Sequence, residues 1–156
     1  MNTHMNRKSF IVSILAAGCF IATSMLMPSV GNAQADPKVQ KSMAALKAAT
    51  KKLGPPKVEG MEAVSGKNAA ALYFGTTKIN NNYDAVDAVV KENGGTATLF
   101  AKTGDEYVRV STNVPKPDGS GRATGTILDV PYITGYEPIK DASGKVIGIY
   151  YVGYKK

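Results

Sequence analysis

The chain has 156 residues, 44% hydrophobic and 20% charged, with 19 lysines and arginines against 12 acids and a net charge of +7. That balance suits one compact soluble domain and excludes both a disordered tail and a multi-domain enzyme. The basic residues are scattered rather than clustered with aromatics, which speaks against nucleic-acid binding.

Residues 1–35 have the layout of a secretory signal. Arg7 and Lys8 form a basic start, Phe10 to Met27 an apolar stretch, and Ala33-Gln34-Ala35 a small-x-small site before Asp36. Cleavage after Ala35 is expected, giving a periplasmic or secreted protein. Two other readings stay open: a retained membrane anchor, since the apolar stretch approaches the ~20 residues that span a bilayer, and a lipid anchor through Cys19. Removal of the segment leaves 121 residues, the domain 36–156, with 17 basic and 12 acidic residues. It contains no Cys, His or Trp. A Ser/His/Asp relay, a cysteine nucleophile and a His- or Cys-based zinc or haem site are therefore excluded, and neither an enzyme nor a cofactor is expected. Without disulfides, stability must come from a hydrophobic core, which this length permits.

Asp36 reads as an N-cap and Pro37 as the first residue of a long helix, with Val39, Met43, Leu46, Ala49 and Leu53 on its apolar face and Gly54-Pro55-Pro56 as its stop. Lysines fill the other face, so the helix should lie across a sheet. A polar loop with Gly60 and Gly66 then leads to a strand at Ala71-Leu72-Tyr73-Phe74 and a polar run from Thr76 to Asn82. Tyr83, Val86 and Val90 mark a short second helix closed by Gly94-Gly95. The period then changes to two: Thr96 to Lys102 and Glu106 to Asn113 form a hairpin around Thr103-Gly104-Asp105. Pro115 to Gly125 is a Pro-, Gly- and Ser-rich segment expected to be an exposed loop. A last hairpin pairs Pro131–Lys140 with Lys145–Tyr154 through Asp141-Ala142-Ser143-Gly144. The final strand is apolar on both faces, as a covered central strand would be. Five strands, mostly in hairpins, with one long and one short helix, give an α+β domain with an antiparallel sheet.

Three linked blocks are recognisable: Gly94 to Phe100, Tyr107 to Val114, and Pro131 to Ile149 with its Pro-Tyr-Ile-Thr-Gly-Tyr start. In this order they resemble the Cache sensor domains, in particular the Cache 3/Cache 2 fusion type, over about Leu72 to Tyr154 by the order of elements. The resemblance implies a PAS-like five-stranded sheet backed by a long N-terminal helix, and a pocket for a small carboxylate or amino acid. It also implies a place outside the membrane feeding a chemoreceptor or histidine kinase. Family members usually place a further helix and strand between Asp129 and the Pro131 block, where this chain has only Val130. No signalling segment follows Lys156, so a stand-alone domain without attached output is expected.

Strict alternation puts Tyr107, Arg109 and Ser111 on one face of their strand, with Val108 and Val110 opposite, and Tyr132, Thr134 and Tyr136 on one face of theirs. These six are the candidate ligand residues: Arg109 as a bidentate fork for a carboxylate, the hydroxyls as donors and the rings as walls. The alternative is that this face meets solvent and Arg109 pairs with a surface acid. Asp129 reads as a turn residue, and Asp84 and Asp87 as acids favouring the start of the short helix. Glu137 and Asp141 stand ~13 Å apart along a strand, too far for a carboxylate pair. Two functions follow. One is an exported sensor-type domain that binds a small organic anion; the other is an envelope interaction module that lost its pocket with the shortened segment. Dimerisation through the long helix is compatible with both.

Overall fold

The computed structural model describes residues 36–124 and 132–155. The expected signal and cleavage site, the Cys19 reading and Asp129 lie outside them. Helix α1 spans Pro37–Lys51, and its cap is the one expected: the Asp36 carboxylate accepts from the amides of Lys38 (2.8 Å) and Val39. The buried stripe is Val39, Ser42, Met43, Leu46 and Thr50. Thr50 rather than Leu53 closes it, because the helix ends at Lys51 and Leu53 falls 38% exposed beyond it.

Strand β1 (Pro56–Val64) occupies the stretch where a polar loop was expected, and it pairs antiparallel with β2 (Lys67–Phe74). Its pattern is hard to read from sequence because Glu59 to Met61 are exposed and the register shifts between Val58 and Met61, so no alternation survives. The turn is Ser65-Gly66, with both φ angles positive (49° and 80°), the signs of a type I′ hairpin. Beyond β2, a two-residue β3 (Thr77–Lys78) completes a three-stranded sheet. At the turn after β2, Gly75 (φ 59°) passes the end of α1 so closely that a Cβ there would stand 2.1 Å from the Leu53 carbonyl oxygen. Backbone cannot yield to that contact, so glycine is required.

Helix α2 (Asp84–Asn93) ends at Gly94 with φ 74°. Strands β4 (Thr96–Thr103), β5 (Glu106–Thr112), β6 (Tyr132–Lys140) and β7 (Val146–Lys155) form a second sheet in the order β5-β4-β7-β6, every pair antiparallel. The expected single five-stranded sheet is thus corrected. The described residues hold seven strands in two sheets, and the Ala71–Phe74 strand belongs to the smaller one. The separation has a local cause: the buried Asn80 side chain takes the Leu72 amide (2.9 Å) and gives to the Ala70 carbonyl (3.1 Å). It thereby satisfies backbone groups of β2 that a neighbouring strand would otherwise need to pair. The two sheets meet through the Ala70 amide, which donates to Thr103 Oγ1 (2.9 Å), and the loop after β3 is tied to the larger sheet by the Asn81 amide, which donates to the Val110 carbonyl.

Both helices pack on one face of the four-stranded sheet, here called the helix face. Leu46 and Val39 of α1, Val86 and Val89 of α2, and Ala97, Leu99, Tyr150 and Val152 of the sheet form the core with Leu72 and Phe74. Strand β7 is central and buried at Ile147–Gly148 and Tyr150–Gly153, as its two apolar faces predict. The Tyr150 hydroxyl reaches Thr50 Oγ1 (3.2 Å), and burial pushes its pKa above the ordinary tyrosine value. The folded state therefore holds this proton more tightly than the unfolded chain. The stability it contributes is complete below the unfolded value near 10 and is lost as pH rises through the folded one. Urea titrations between pH 9 and 11 should show stability falling, with the slope flatter in Tyr150→Phe. An identical slope in both proteins would show that another group governs the alkaline transition.

Candidate ligand-binding face

The opposite face of the four-stranded sheet carries most of the predicted site. Cross-strand pairing lays it out in two rows. One runs Arg109, Phe100, Ile149, Pro138, and the next Thr112, Thr98, Tyr151, Tyr136. Thr134 sits beside Gly153, Tyr107 lies beyond Arg109 opposite Lys102, and Tyr132 takes its place by register opposite Lys155. Five of the six candidates thus share one face. The Arg109 and Tyr136 positions are separated by three strand intervals, ~14 Å, so they border a common floor rather than touching. That floor of Phe100, Thr98, Ile149 and Tyr151 was missed from sequence, although the alternation Thr96, Thr98, Phe100, Lys102 signals it.

Ser111 is the exception. The pairs Leu99–Ser111 and Phe100–Arg109 leave Val110 as an extra residue in β5, a β-bulge that resets the alternation. Ser111 therefore turns to the helix face beside Leu99, where its Oγ donates to the Asn82 carbonyl (2.6 Å). Its predicted place beside Arg109 is corrected.

Arg109 is only 6% exposed. Its guanidinium stacks on Phe100 at 5.5 Å, and Nη1 donates to the Ala123 carbonyl at 2.9 Å. The segment from Asn113 to Thr124 therefore returns over this end of the face. Its middle is exposed as expected, but its base is not: Val114, Ala123 and Thr124 are buried, and the Ala123 amide bonds the Val114 carbonyl. Thr124 also hydrogen-bonds Ser65 in the β1–β2 turn. The other arginine of the domain holds the same segment from outside. Arg122 forms a two-toothed pair with Asp87 of α2 (2.6 and 2.7 Å), donates to the Thr112 carbonyl and stacks over Tyr83 at 4.3 Å. Asp87, read as a helix-start acid, is thus also the anchor for Arg122.

Toward β6 the face opens. Tyr136 is 57% exposed and its ring lies 5.0 Å from Tyr151. Chemically, the face offers one buried fork-shaped cation, a floor of rings and methyl groups, and phenolic hydroxyls at its borders, the mixture that holds small organic molecules.

An antiparallel sheet with helices on one face and a mixed polar and aromatic surface on the other has the plan of a PAS-like sensor domain. The chain belongs to the Cache family, since the profile of the Cache 3/Cache 2 fusion domain matches residues 27–130 and that of single cache domain 3 matches residues 126–156. Domains of this family are extracellular sensor domains that bind small ligands. The two matches overlap at 126–130. No curated protein and no solved structure matches the chain. Among the described residues, no helix is long and apolar enough to cross a membrane.

Proposed function

We propose that this chain is an exported sensor-type Cache domain that binds a small carboxylate or amino acid against the face of the four-stranded sheet opposite the helices. Arg109 is the charge-bearing contact, Tyr107, Tyr132, Thr134 and Tyr136 border the ligand, and Phe100 and Tyr151 form the floor. The observation that carries the reading is the position of Arg109, a cation buried on an aromatic floor with Nη1 on the neutral carbonyl of Ala123. A planar guanidinium held on a ring at the sheet surface is the donor a ligand carboxylate would meet on this face. The layout of residues 1–35 supports export. A membrane receptor or kinase, or a second copy joined through α1, is the partner such a domain would address.

One observation favours the second reading, an interaction module without a ligand: the fork is already covered by the segment that ends at Thr124. A thermal-unfolding screen of the purified chain against small mono- and dicarboxylates and amino acids separates the two. A ligand present at 100 times its Kd stabilises the folded form by about 2.7 kcal/mol, several degrees in Tm for a domain of this size. The expected result is a saturable rise with one chemical class, reduced at least tenfold in affinity by Arg109→Lys, which keeps the charge but not the fork. Cooperative unfolding with no shift from any compound would overturn ligand binding in favour of the interaction module.

A further inference from the structure

A groove of about 390 Å³ runs on the helix face of the domain, between α1 and β6, on the opposite side of the sheet from Arg109. That volume lies within the range of small-molecule sites. Its floor is apolar, made by Val39, Met43 and Ala44 with Gly135 of β6. Gly135 sets its depth: a Cβ there would stand 2.6 Å from Val39 Cγ1, so glycine lets α1 pack directly on β6. The rim is charged. Lys47 pairs with Glu137 at 2.5 Å, while Lys51, one turn along, makes no salt bridge among the described residues. Helix α1 contains no acidic residue, so the rim keeps one uncompensated positive charge above an apolar floor.

We infer that this groove is a second binding site, for a free carboxylate carried on an alkyl chain, such as a medium-chain fatty acid. The single excess positive charge complements a monoanion. The apolar lining complements the chain: the exposed methyls of Ala44 and Ala48 would be taken out of water by an alkyl chain and left in it by a small hydrophilic anion. The site shares no residue with the face proposed above, so either can fail without the other.

The methionines supply the test. Met43 lies in the floor and is 4% exposed, whereas Met61, on β1 of the other sheet, is 57% exposed and does not line the groove, an internal control. The purified chain, labelled with 13C in its methionine methyls and assigned with Met43→Leu, is titrated with hexanoate, octanoate and decanoate below their aggregation limits. Met43 should shift saturably while Met61 stays still, with affinity rising by up to about fourfold for each added methylene. Lys51→Gln, an exposed substitution, should weaken binding severalfold at low salt. Ala44→Leu should fill the groove and abolish the shift while leaving Tm unchanged. Arg109→Lys should leave the titration as it is. The inference is overturned if Met43 does not move, if Met43 and Met61 drift together without saturation, if octylamine binds as well as octanoate, or if Arg109→Lys removes the response.

Discussion

Leu99→Ala should lower the unfolding free energy by about 3–5 kcal/mol, a large share of the roughly 5–15 kcal/mol that holds a domain of this size. Leu99 is fully buried on β4, in the middle of the four-stranded sheet, with Ser111 and Tyr150 as its neighbours across β5 and β7. Both helices pack on that face of the sheet, and the rigid β-ladders on either side cannot collapse into the space a truncated side chain leaves. The cost therefore includes the cavity as well as the lost transfer energy. In urea, the midpoint should fall with the m-value unchanged. A loss below about 1 kcal/mol would mean that the layer above the sheet is loosely packed and able to refill the site.

Arg109→Ala is expected to cost about 2–4 kcal/mol and to release the base of the 113–124 segment. The buried Ala123 carbonyl would lose the guanidinium that donates to it, and an unsatisfied buried acceptor costs about 1–3 kcal/mol, with the stacking on Phe100 adding somewhat less than 1. Arg109→Lys should recover little of this, since an ammonium neither reproduces the planar donor nor lies flat on the ring. Arg122→Ala should cost less, roughly 1 kcal/mol, because its pair with Asp87 is partly open to solvent. Hydrogen exchange distinguishes the two positions from a general loss of stability. Amides such as Ala123, bonded to Val114, should exchange faster in both variants, while those of β7 slow or quicken only with global stability. If Arg109→Ala leaves the Ala123 amide as protected as before, the segment is held by other contacts.

These two residues also show where sequence reading succeeds and where it stops. Leu99 falls in a run of period two, and its burial follows from that pattern. Arg109 was singled out because arginine is rare in this domain, and its strand, its face and its nearness to Tyr107 were all legible. Ser111 was misplaced for a physical reason: one extra residue at Val110 reverses the alternation, and a bulge leaves no mark in a run of β-branched and hydroxyl side chains. Strand β1 looks like a loop in sequence because an irregular register and an exposed middle erase the pattern that would reveal it. The 115–125 segment was read as exposed from its composition, whereas the two arginines decide its placement. Composition reports the polarity of a segment and says nothing of which distant carbonyl or carboxylate will hold it.

By itself the sequence determined the α+β class, the cap of α1, the two hairpins β4–β5 and β6–β7, the central place of β7 and the Cache family. These rest on local signals: a capping aspartate, turn residues at fixed offsets, and periods of 3.6 and 2 that dictate which side chains can be buried together. Only the tertiary structure decided that the strands divide between two sheets, that Ser111 faces the helices and that the rings of Phe100 and Tyr151 lie between Arg109 and Tyr136. It alone decided that Arg122 of a surface segment answers Asp87 of a helix and that Gly135 lets α1 close on β6. Each of these depends on groups far apart in the chain, brought together by pairing and packing whose energies no local pattern encodes.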